Sequence, residues 1–129
     1  MEKVLIIVRG LPNSGKSTFA KMLGKAICTA DDWYTHKGVY SWDYRHIGEA
    51  HDWCQRKCRR FMQKGIDRVI VANTSITEKA MRPYMVMAKE YDYKIFTVVV
   101  EKRHSNDNHH NVPELTLLNM ESKFEIKLI

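Results

Sequence analysis

Eight residues, Gly10-Leu-Pro-Asn-Ser-Gly-Lys-Ser17, stand between a strand-like run and a helix-like run, and they constrain the fold more than anything else in the chain. Upstream, Lys3-Val-Leu-Ile-Ile-Val8 is continuous, rich in β-branched residues and followed by glycine, which reads as a buried parallel strand. Downstream, Phe19, Met22, Leu23 and Ala26 recur at helical spacing, giving a helix from Lys16 to about Ala26 with one apolar face. Gly10 and Gly15 permit a tight backbone path that aims successive amides, those of Asn13, Ser14 and Gly15 among them, at a single anion. The helix adds its unpaired N–H groups and the positive end of its dipole. The anion such a loop holds is the phosphate chain of ATP or GTP, with Lys16 between the β- and γ-phosphates and the Ser17 hydroxyl on magnesium. Thr18 is expected to pack or to help hold an outer phosphate.

Further along, Ile27-Cys-Thr-Ala30 reads as a second strand ending at Asp31-Asp32, and an aromatic-rich loop is expected from Trp33 to Trp42. Asp43 to about Lys64 reads as a long helix closed by Gly65. Its apolar line is Ile47, Ala50, Cys54, Cys58 and Phe61, and Arg45, Arg56, Lys57, Arg59 and Arg60 form its solvated side. Arg68 to Ala72 gives a third strand. Thr77 to about Glu90 is helical, with Pro83 expected to interrupt it or to start its second part. Lys94 to Val100 is a fourth strand, Ser105–Asn111 is polar and irregular, and a last helix runs from Pro113 to about Phe124.

Strands alternating with helices predict an α/β protein: a three-layer α/β/α sandwich of the P-loop NTPase type, with a mainly parallel sheet. In such sheets ligands bind beyond the carboxyl ends of the strands. Those ends here are polar in four separate segments: residues 10–17, Asp31-Asp32, Asn73-Thr74-Ser75, and Glu101-Lys102-Arg103.

A chain of 129 residues with 44% hydrophobic and 28% charged positions suits one soluble domain, 1–129, without low-complexity linkers. The apolar run at 4–8 is too short for a signal core or a membrane span, so the expected setting is a cytoplasm, a host's if the chain is phage-encoded. Cys28, Cys54 and Cys58 read as free thiols, Cys54 and Cys58 at buried helix positions. Lysine and arginine outnumber aspartate and glutamate by 21 to 15, a net charge of +6, which favours a polyanionic partner.

The linked set Gly-Leu-Pro-Asn-Ser-Gly-Lys-Ser-Thr at 10–18, Ala30-Asp31-Asp32, Glu49-Ala-His51-Asp-Trp53, Val71-Ala-Asn-Thr-Ser75, Val98-Val-Val-Glu-Lys-Arg-His104 and Asn111-Val-Pro-Glu114 resembles the phage-type polynucleotide 5′-kinases and their small AAA-type ATP-binding relatives. The resemblance implies that Asp31 accepts the proton of an attacking hydroxyl. It implies that Arg103, at the base of a lid spanning about 102–112, stabilises charge on the transferred group. Relatives often carry an acidic residue after the third strand, where this chain reads Ala72-Asn73, so magnesium would rest on Ser17, phosphates and water. The lid also lacks a further arginine and reads Ser105-Asn-Asp-Asn-His-His110.

Trp33, Tyr34, Tyr40, Trp42 and Tyr44 either pack a loop or stack on a nucleobase, with Arg45 near a flanking phosphate. Asp32, Tyr34, Arg45, Asn73 and Thr74 are the candidate substrate contacts, and Asp32 also suits a structural cap. His51 is expected on the helix face nearest the site, as a hydrogen-bonded structural histidine. Solvated lid residues are the reading for His104, His109 and His110, and core or near-core positions for Met81, Met85 and Met87. The resulting functional expectation is ATP-dependent phosphoryl transfer to a hydroxyl, the 5′-hydroxyl of DNA or RNA foremost. A small-metabolite or nucleoside kinase, and a nucleotide-binding switch or nucleic-acid module with little catalysis, remain as alternatives.

Overall fold

Four parallel strands, in the order β2-β3-β1-β4, carry the molecule. The computed structural model describes residues 2–36, 44–103 and 112–128. Strand β1 (Val4–Arg9) lies between β3 (Arg68–Ala72) and β4 (Lys94–Val99), with Val4 opposite both Arg68 and Lys94. Strand β2 (Ala26–Cys28) extends the sheet on the far side of β3, Cys28 facing Val71.

Alternation along the strands sorts the side chains into two cores. Leu5, Ile7, Cys28, Val69 and Val71 point to one face. There they meet α3 (Ile47–Gln63) through Ala50, Cys54, Cys58 and Met62, and α4 (Glu78–Glu90) through Met81, Tyr84, Met87 and Ala88. Val8, Ile70 and Ala72 point to the other face and meet Ala20, Phe19 and Leu23 of α1 (Lys16–Leu23). Helices on both faces of a parallel sheet make the three-layer sandwich that the sequence pattern predicts. Each fully buried Leu5 or Ile7 side chain contributes about 2 kcal/mol through the water it no longer orders.

Several boundaries differ from the sequence reading. Helix α1 stops at Leu23 rather than Ala26, because Gly24 follows and Ala26 is already paired with Val69. Strand β2 accordingly ends at Cys28, two residues early. Asp31–His36 is a helix, α2, and not the start of a loop, since the Thr29 hydroxyl accepts the Asp32 N–H at 3.1 Å and closes its first turn. The rest of the expected loop, 37–43, lies outside the described residues. The long helix starts later than expected, with a 3-10 turn at Tyr44–His46 before α3.

Pro83 sits inside α4 without breaking it. The carbonyl it leaves without a donor belongs to Lys79, which is exposed, so water can serve it. Thr77 caps this helix, its hydroxyl accepting the Ala80 N–H at 3.1 Å. The last helix, α5 (Glu114–Lys123), has no buried residue. No described helix is long and apolar enough to cross a membrane.

Candidate functional site

Loop 10–15 is shaped by three constraints that its sequence satisfies. Gly10 has no room for a side chain: a Cβ there would lie 2.8 Å from the Val100 carbonyl oxygen. Asn13 and Gly15 adopt positive φ, 64° and 98°, a region open to glycine and tolerated by asparagine. The Gly10 N–H donates to the Thr74 carbonyl at 3.2 Å and the Ser14 N–H to that of Leu11 at 3.1 Å, which fixes the loop against the end of β3.

Helix α1 begins at the end of this loop with no side-chain cap and no acidic residue in its first turn. Among the described residues no side chain caps its free N–H groups or offsets its dipole. Lys16 worsens the imbalance, being a cation at the positive end of a helix. Its ammonium donates to the Leu11 carbonyl at 3.1 Å. Burial lowers its pKa to about 8, with the Asp31 carboxylate pulling the other way. A polyphosphate answers the helix end and the lysine together. Ser14 is buried, and its hydroxyl has no hydrogen-bond partner among the described residues.

Ser17 and Thr18 lie exposed on the same first turn. Among the described residues no cluster of three or more His, Cys, Asp or Glu could hold a metal ion. Magnesium keeps most of its ligands as water and phosphate oxygen and takes one or two from the protein. Ser17 fits as such a ligand.

One cavity opens beside the loop, bringing together Lys16, Asp31, Tyr34, His51, Asn73 and Thr74. The four segments that supply these groups are α1, α2, α3 and the end of β3, as expected for residues beyond the carboxyl edge of a parallel sheet. Asn73 is buried, and its side chain braces the site: its oxygen accepts the Ala30 N–H at 2.8 Å and its amide donates to the Cys54 sulfur at 3.6 Å. Tyr34 is also buried, edge-on to Trp33 with ring centroids 5.1 Å apart, while Trp33 packs against His46 at 5.4 Å. Both rings belong to the packing of α2.

Three predicted site residues stand elsewhere. Asp32 is exposed and outside the cavity lining, as is Arg45. Arg103 is exposed too, paired with Glu101 at 2.7 Å, and borders a second pocket on the other side of the loop. That pocket is lined by Gly10, Leu11, Ser14, Val100, Phe124 and Ile126 among others, and its volume of about 590 Å³ is large enough for a nucleoside. The expected lid residues Ser105–Asn111, with His104, His109 and His110, and the rings of Tyr40 and Trp42 fall outside the described residues.

Two residues gain importance that the sequence did not give them. Arg9, the last residue of β1, is buried below the loop. Its guanidinium donates to the carbonyls of Ser75 at 2.8 Å and of Glu125, and stacks on Phe124 at 4.9 Å. Burial lowers its pKa, and the Glu78 and Glu125 carboxylates partly restore it. His51 is half-buried and lines the cavity, and no hydrogen bond from its ring is present among the described residues. Spacing placed it on the correct helix face; only the fold shows what stands opposite.

The chain is 35% identical over 97 residues to human (Homo sapiens) NEDD4-binding protein 2, a match covering 71% of this chain and 6% of that protein. It thus spans a small fraction of this relative's length. Among solved structures, a chain of the Pnkp1/Rnl/Hen1 RNA repair complex aligns with a TM-score of 0.62 at 20% identity, over 95% of this chain and 37% of that one. Kti12 of Chaetomium thermophilum, solved with ADP-AlF3, aligns with a TM-score of 0.60 at 16% identity, over 95% of this chain and 80% of that one. The family described as AAA domain matches residues 5–126, nearly the whole sequence, and the chain belongs to that family, on the P-loop kinase-like fold its structural neighbours share.

Proposed function

We propose that the protein transfers the γ-phosphoryl group of ATP to a hydroxyl, and that the hydroxyl is the 5′-hydroxyl of a DNA or RNA end. The observation that carries this reading is the shared cavity of Lys16 and Asp31, a phosphate-binding cation and a carboxylate on facing elements. A hydroxyl seated between them lies in line with a γ-phosphate gripped by loop 10–15. Asp31 takes the hydroxyl proton as the new O–P bond forms, and the bond to the β-phosphate breaks. Lys16 and the N-terminus of α1 hold the charge that spreads onto the phosphate oxygens. Magnesium, with Ser17 as its protein ligand, would neutralise part of that charge. The pocket bounded by Leu11, Arg103 and Phe124 suits the base and ribose of the donor, with Arg103 serving the nucleotide rather than the acceptor.

Support for a nucleic-acid acceptor comes from the net charge of +6 and from the likeness to a chain of an RNA repair complex. Incubation with γ-labelled ATP and a 5′-hydroxyl oligonucleotide tests the reading. Label should move to the oligonucleotide, and Asp31→Asn should slow the transfer by about a hundredfold or more. Transfer to nucleosides alone, without any effect of oligonucleotide length, would reassign the acceptor to a small molecule. ATP binding with no transfer to any acceptor would leave a nucleotide-binding module.

A further inference from the structure

His51 is an imidazole lining the cavity that the reaction above leaves without a task. It projects from α3 into the space that Asp31 enters from α2 and Lys16 from α1. A histidine retained for stability finds a hydrogen-bond partner inside the protein. Here no bond from the ring is present among the described residues, and the ring faces a cavity. Burial lowers the pKa of its imidazole from the ordinary value, while the carboxylates of Asp31 and of Asp52, on its own helix, act in the opposite sense. Near neutral pH it is uncharged, offering one N–H donor and one lone pair. The charged groups facing it are Asp31, Asp52 and Lys16, and Tyr34, Asn73 and Thr74 add uncharged polar walls.

We propose that His51 is an acceptor-binding residue: its neutral ring hydrogen-bonds the acceptor beside the hydroxyl that Asp31 receives, and its protonation shuts the site by pairing with Asp31. This rests on reading the cavity as the acceptor side of a kinase. The ring carries no proton in the transfer itself, because the hydroxyl proton passes to Asp31 as the oxygen bonds to phosphorus. An imidazolium opposite Asp31, by contrast, would draw the carboxylate into an ion pair and away from the incoming hydroxyl. Acceptor use therefore falls as the pH drops through the pKa of His51, while ATP binding on the other side of the loop is untouched.

The test is steady-state kinetics of the full chain, with ATP and a 5′-hydroxyl oligonucleotide, for the parent, His51→Gln and His51→Asn across about pH 5 to 8. Both variants should raise the KM for the oligonucleotide about tenfold, the scale of one lost hydrogen bond, with the KM for ATP unchanged. The acid limb of kcat/KM for the oligonucleotide should flatten, since neither amide titrates. An unchanged acceptor KM and acid limb in both variants overturns the inference, whether or not their melting temperatures fall, and leaves the kinase reading standing. Equal rises in both KM values would assign His51 to packing and overturn it as well. A parent protein that moves no label to any hydroxyl overturns the kinase reading, and the inference with it.

Discussion

The side-chain oxygen of Asn73 accepts the backbone N–H of Ala30 at 2.8 Å, one residue before Asp31. The end of β3 thereby sets the height at which β2 releases the chain into α2, and with it the position of the Asp31 carboxylate. Asn73 also donates to Cys54, so the brace is anchored in the core between the sheet and α3. Asn73→Leu keeps the volume but strands the buried Ala30 N–H, and should cost about 1–3 kcal/mol in urea unfolding. In the transfer assay it should lower kcat more than it raises the KM for ATP, because Asp31 shifts while the phosphate loop does not. Unchanged stability would show that Ala30 finds water instead.

Arg9 makes a parallel prediction on the other side of the loop. Its guanidinium holds Ser75, Glu125 and the Phe124 ring, joining the end of β1 to the segment after β3 and to the tail beyond α5. Arg9→Met should destabilise the fold by about 3 kcal/mol, the scale of losing charged hydrogen bonds of which one, to Ser75, leaves a buried carbonyl behind. Arg9→Lys should recover only part of this, since an ammonium cannot reproduce the fork. Phe124→Ala in either background completes a double-mutant cycle, with an expected coupling of about 1 kcal/mol. Additive effects would mean that the stacking contributes nothing.

Local pattern made the strands, the helices and the phosphate loop legible, because each depends on neighbours in sequence. β1 and β3 are β-branched runs with no polar interruption, and residues 10–17 carry their own geometry. Methionines 81 and 87 fell in the core as helical spacing requires. What spacing does not show is what stands across a gap. Asn73 could be placed beyond a strand end, but its use as a brace depends on Ala30, 43 residues away. Arg9 read as the last residue before a glycine, and its partners lie 66 and 116 residues on. Asp31 and Asp32 were distinguishable only through resemblance; in the fold one enters the cavity and the other faces solvent. The start of α2 was missed because its cap, Thr29, sits inside a segment that reads as strand.

Tyr84 supplies a contrast to Asn73. Both are buried polar side chains against the same sulfur-rich core, yet among the described residues the Tyr84 hydroxyl has no nitrogen or oxygen partner, only the soft Cys54 sulfur nearby. Removing a hydroxyl that gains little from its surroundings removes a desolvation cost as well. Tyr84→Phe should therefore leave stability within about 0.5 kcal/mol of the parent, or raise it. A loss comparable to that of Asn73→Leu would reveal a stronger bond to Cys54 than the geometry gives.

Gly10 and Gly15 should fail for different reasons, and the difference is measurable. At Gly10 the obstacle is space, because a Cβ would press on the Val100 carbonyl at 2.8 Å and on the Ser14 hydroxyl. Gly10→Ala must push the loop away from the end of β4, so nucleotide affinity should drop at least tenfold, with about 1–3 kcal/mol of stability lost to overpacking. At Gly15 the obstacle is the backbone, held at φ 98° where a side chain collides with its own carbonyl. Gly15→Ala should cost about 1–2 kcal/mol from that strain. Gly15→Asn should recover part of the loss, since asparagine visits positive φ more readily. Titration of a fluorescent ATP analogue beside thermal unfolding separates the two. Asparagine should rescue position 15 and not position 10, and rescue at both would mean that backbone strain, not the approach of Val100, governs the start of the loop.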